Sequence, residues 1–142
     1  MKTFMSRAAL AGLLMGVSVL ASATPAPKGA EVSIVSPEDG ATIPQTVVVK
    51  FAVENIALAP AGDTTKNTGH HHVLVDVDDD KLPAAGVPIP KDANHLHFGG
   101  AQTQAEITLT PGKHTLQLEL GDSNHIPFEP PIVSEKITVN VK

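Results

Sequence analysis

From residue 31 to the end of the chain no helical repeat is sustained. Short runs of β-branched and other apolar residues alternate with polar ones and are cut every few positions by proline or glycine. That rhythm predicts strands near residues 31–35, 46–54, 71–77, 94–98, 104–110, 114–120 and 132–141. About seven short strands in about a hundred residues predict an all-β domain, an immunoglobulin-like β-sandwich. Ser36-Pro37-Glu38-Asp39-Gly40 and Thr110-Pro111-Gly112-Lys113 are turn sequences, proline presetting φ and glycine supplying positive φ. The second is expected to close a hairpin between residues 105–109 and 114–120. Period-two alternation then turns Leu116, Leu118 and Leu120 to the core, with His114 inward at the strand's mouth, and Thr115, Gln117 and Glu119 to water.

The segment before residue 31 reads as an address. Lys2 and Arg7 precede an apolar run over residues 8–20 that ends in Ala21-Ser22-Ala23, the three parts of a secretory signal peptide cleaved after Ala23. The run is short for a bilayer span, and Thr24-Pro25-Ala26-Pro27-Lys28 follows it, so no stable membrane anchor is expected. The expected organisation is a signal peptide at 1–23, a flexible lead-in at 24–30 and one domain at 31–142, located in the periplasm. The formal charge is −5, and losing Lys2 and Arg7 with the leader takes it to −7. That excludes nucleic acid as a natural partner, since a basic surface is needed there. The chain has no cysteine, and Met1, Met5 and Met15, its three methionines, all lie in the leader. The exported part therefore offers no thiolate or thioether ligand.

It offers imidazoles instead. The seven histidines are His70, His71, His72, His95, His97, His114 and His125. Clustered neutral imidazoles suit Cu(II) or Zn(II), and residues two apart on a strand share a face. His70/His72 and His95/His97 are thus two pairs able to grip an ion, and His114 or His125 would complete the set. Strand parity leaves His71 outside it. Asp76 falls on the face of His72, where it would orient an imidazole from behind. The Asp78-Asp79-Asp80 run lacks the spacing of an EF-hand loop and reads as a solvated loop. Loops at 56–69 and 78–93 flank the histidines. No nucleophile elbow, phosphate-cradling glycine loop or His-Glu-x-x-His helix is present, so no catalytic residue is assigned and enzymatic activity is less expected than binding.

At Gly69-His70-His71-His72-Val73-Leu74-Val75-Asp76 the chain resembles a family of small exported bacterial proteins known as domain of unknown function 4399. The resemblance continues through His95-Leu96-His97-Phe98-Gly99-Gly100, Pro111-Gly112-Lys113-His114-Thr115-Leu116-Gln117-Leu118, Leu120-Gly121-Asp122, His125-x-Pro127 and Pro130-Pro131-x-x-Ser134. It implies no activity. Where it implies a second histidine after His125-x-Pro127, this chain has Phe128, which leaves His125 a single ligand.

Three functions compete on these residues. The first is a periplasmic Cu(II)- or Zn(II)-binding protein in metal homeostasis or storage. The second is a copper redox enzyme of superoxide dismutase-like type, and the third a structural or carrier module of the envelope that holds no metal. Convergence of the histidine segments on one point separates the first two from the third.

Overall fold

The computed structural model describes residues 22–142, so residues 1–21 of the expected signal peptide lie outside the described part. Among the described residues nine strands occur: β1 (Glu31–Ser36), β2 (Thr42–Ile43), β3 (Thr46–Glu54), β4 (Ala57–Leu58), β5 (Thr68–Val75), β6 (His95–Phe98), β7 (Gln104–Thr108), β8 (Gly112–Gly121) and β9 (Ile137–Val141). The only helical element there is one 3₁₀ turn, Asp79–Lys81. No described helix is long and apolar enough to cross a membrane.

The strands build two sheets. One has the order β1-β3-β7; the other runs β2-β9-β8-β5-β4, with β6 also paired to β5. Between them lies one apolar core. Val32, Val49, Phe51 and Ile107 come from the smaller sheet, and Val73, Val75, Leu116, Leu118, Leu120 and Val139 from the larger. The inward leucines of β8 follow the expected alternation and are fully buried. Each such side chain contributes about 1.5–3 kcal/mol by leaving water.

Three expectations need correction. The Thr110-Pro111-Gly112 turn does not close a hairpin. β7 pairs with β3, from Thr46 opposite Thr108 to Lys50 opposite Gln104, while β8 pairs with β5 and β9, so the turn carries the chain across from one sheet to the other. Gln117 and Glu119 do not face water; they are 8% and 0% exposed. Alternation identified their face correctly, but that face is covered too. Residues 132–136 do not belong to a continuous last strand. Ser134 breaks it, its hydroxyl accepting from the Leu118 N–H at 2.8 Å while its own N–H reaches the Leu118 carbonyl at 2.9 Å. β2 and β4, two residues each, carry no periodic signal. Ahead of β1, Thr24 Oγ1 donates to Asp122 at 2.6 Å, and the Ala26 N–H to the Glu129 carbonyl at 2.9 Å.

β5 occupies the middle of this arrangement and is buried from Gly69 to Val75 on both faces. His71, Val73 and Val75 turn toward the other sheet, where the His71 ring lies 4.5 Å from that of Phe51. His70 and His72 turn the opposite way, toward a second layer made by the segments around Ile89 and His125.

Candidate metal centre

The site begins with parity on two paired strands. His72 of β5 stands directly opposite His97 of β6, so both imidazoles rise from the same face, and His70 lies two residues along. The fourth ring arrives from a turn. Asp122 accepts the N–H groups of Asn124 and Ile126 on one carboxylate oxygen, at 2.8 and 3.1 Å. This local cap holds His125 at φ 63°, where its carbonyl accepts from the Ile89 N–H at 2.7 Å. The turn thereby presents the His125 ring to His70, Nδ1 to Nε2 at 2.9 Å.

One potential ligand atom from each of His70, His72, His97 and His125 lies within 4.8 Å of the other three, and the four could hold a metal ion. Ring centroids are 4.7 to 5.9 Å apart. Tetrahedral Zn–N bonds of about 2.0–2.1 Å put ligand nitrogens about 3.4 Å apart, so small ring rotations close the set. The rings have room because two glycines leave it. A Cβ on Gly121 would lie 2.8 Å from His72 Cε1, and one on Gly99 would lie 2.5 Å from His97 Cε1. Sequence reading missed this use of both glycines, since composition records no cross-strand neighbour.

The electrostatics favour neutral ligands. Burial, then the neighbouring His125 and His97, lowers the His70 imidazole to about 4, against a smaller opposing pull from Asp122. Burial first, then His70, His97 and His125, lowers His72 to about 3. His97 is held below the ordinary histidine range by burial, by His125 and by Lys91. Neutral imidazoles keep a lone pair for a cation. His72 Nδ1 and His97 Nε2 are buried with no hydrogen-bond partner. An unsatisfied buried polar atom costs about 1–3 kcal/mol, which an ion bound there would offset.

The other expected ligands lie elsewhere. His95 is on the face of His97 but its Nδ1 is 2.8 Å from Asp92 Oδ1. His114 bonds Asp76 through Nδ1 at 2.7 Å and the Thr110 carbonyl through Nε2 at 2.8 Å. Asp76 thus orients His114 at the far end of β5 and not an imidazole of the cluster. His71 packs on Phe51 with both ring nitrogens unpartnered. Phe128 is 1% exposed in the core, where a second histidine of a His125 pair would have stood. A cleft of about 150 Å³, lined by Ile89, Pro90 and Lys91, opens onto His72, His97 and His125.

Fold and site together define an all-β protein with a cluster of four histidines, two buried and two half-buried, on the outer face of its larger sheet. The chain belongs to the family described as domain of unknown function DUF4399, whose model matches residues 49–142 and so takes in all four histidines. No curated protein and no solved structure matches it.

Proposed function

We propose that this is an exported, periplasmic protein that binds Cu(II) or Zn(II) through His70, His72, His97 and His125 and serves metal homeostasis or storage. The observation that carries the reading is the convergence of four imidazoles from three separate segments within 4.8 Å, with no carboxylate or sulfur among them. The basic-apolar-small pattern of residues 1–23 supports export. Two facing sheets around one core support an immunoglobulin-like sandwich. The cleft over three of the four rings favours, as a second reading, a copper redox site, which needs an open coordination position. A metal-free, pH-responsive module fits less well, because His70 and His72, lowered to about 4 and about 3, would stay uncharged between pH 5 and 8.

Isothermal titration of tag-free protein spanning residues 24–142 with Cu(II) and Zn(II) tests the reading. Dissociation constants below roughly 1 μM are expected for at least one metal. The double variant His72→Ala, His97→Ala should weaken binding by about 100-fold or more. Binding no tighter than micromolar, or unchanged in the variant, would sink the proposal.

A further inference from the structure

The cleft beside the four histidines has a cationic rim. Lys91 lines it, and it also lines a larger, more open cleft of about 530 Å³ bounded by Asp92, His95, His97, Phe98 and Glu106. Among the described residues no carboxylate forms an ion pair with its ammonium. Two neighbouring carboxylates are committed to other donors, and a third does not reach the smaller cleft. Asp92 accepts from His95 and from the Asn94 N–H. Asp122 accepts from Thr24, Asn124 and Ile126, and Glu106 stands in the larger cleft only.

This placement is unfavourable for a bare cation site. Four neutral imidazoles cancel none of a divalent ion's charge, and an ammonium at the mouth repels that ion further. The conflict disappears if an anion sits between them. Ile89 and Pro90 supply an apolar wall that strengthens such an attraction. The Ile89 N–H is already given to the His125 carbonyl, and proline has none, so these two residues offer an anion no backbone donor. Lys91 and the ion are then its two charged contacts. The cleft's volume suits a molecule of a few heavy atoms.

We propose that the cleft binds a small inorganic anion, added as a fifth ligand from the cleft side to the ion held by His70, His72, His97 and His125 and paired to the Lys91 ammonium. This rests on the metal reading and names the class of ligand the centre admits.

The test uses azide as the probe on Cu(II)-loaded protein spanning residues 24–142, followed by electron paramagnetic resonance and by the azide-to-copper charge-transfer absorption. Azide should change both spectra saturably. Lys91→Met should weaken azide binding about tenfold while leaving Cu(II) affinity, measured by calorimetry, equal or tighter, and Lys91→Arg should restore it. A protein that takes up no copper overturns the metal reading and this inference with it. A copper-loaded protein whose spectra ignore azide, or whose azide affinity is the same in Lys91→Met, overturns this inference alone.

Discussion

Two histidine environments occupy opposite ends of β5, and they differ in what surrounds the ring. At one end His70, His72, His97 and His125 face one another, and burial keeps His70 and His72 from protonating. At the other end the Asp76 carboxylate holds His114 above its ordinary value, by a hydrogen bond that outweighs its partial burial. His114 has an oxygen partner at each ring nitrogen, Asp76 at Nδ1 and the Thr110 carbonyl at Nε2, so both nitrogens are already engaged. The contrast teaches that abundance of imidazole says little. A ring keeps its lone pair where burial and other imidazoles surround it, and takes a proton more readily where a carboxylate is supplied.

The contrast can be broken most sharply by deletion. His97→Ala should lower metal affinity by about 100-fold, whereas His114→Ala should leave it within about twofold, both read by calorimetric titration. Equal losses would erase the distinction. Next in size is Glu119, cross-strand to His72, whose carboxyl is fully buried without a partner and pushed by burial up to about 7. Its folded value lies above its unfolded one, so stability is lost as pH rises from about 4.5 to about 7, where only the unfolded chain releases the proton. Glu119→Gln should therefore stabilise by about 2–3 kcal/mol in urea unfolding at pH 8 and by little at pH 4.

A third test keeps every histidine of the cluster and removes only the room around one ring. Gly99→Ala places a methyl group against the His97 ring. It should weaken metal binding about tenfold while the far-ultraviolet circular dichroism stays that of the parent. The smallest effect belongs to the other end. With a raised value in the fold, His114 contributes stability that is complete below about 6.5 and lost as pH climbs through that raised value. Asp76 is 43% exposed at its side chain, which limits the pair to about 0.5 kcal/mol. Asp76→Asn should flatten that pH dependence, comparing melts at pH 6 and pH 9.

Parity was the part of the site legible in the chain. It separated His70 and His72 from His71, because a strand buried on both faces still alternates. It did not separate His97 from His95, since a shared face says nothing of position along it. His97 stands opposite His72, and His95 stands opposite Leu74, one step further from the cluster and beside Asp92. His125 depends on a local cap at Asp122 and on a long return of the chain, 55 residues from His70, and neither leaves a periodic trace. The same locality explains the missed crossover. Residues 105–109 and 114–120 have the alternation and the turn of a hairpin, but β7 found its partner in β3, earlier in the chain. Burial of Glu119 was illegible because it needs a second layer that no sequence period announces.

The wide chain separation of the four histidines would tie any bound ion to folding itself. Residues drawn from positions 70 to 125 meet only once β5, β6 and the 122–126 turn are in place. An ion that prefers the assembled set would add about 4 kcal/mol of stability at a thousand times its dissociation constant. The fraction of chains open to proteolysis at any moment would then fall by about three orders of magnitude. Metal supply would be recorded as the protein's lifetime, with no further signalling element needed.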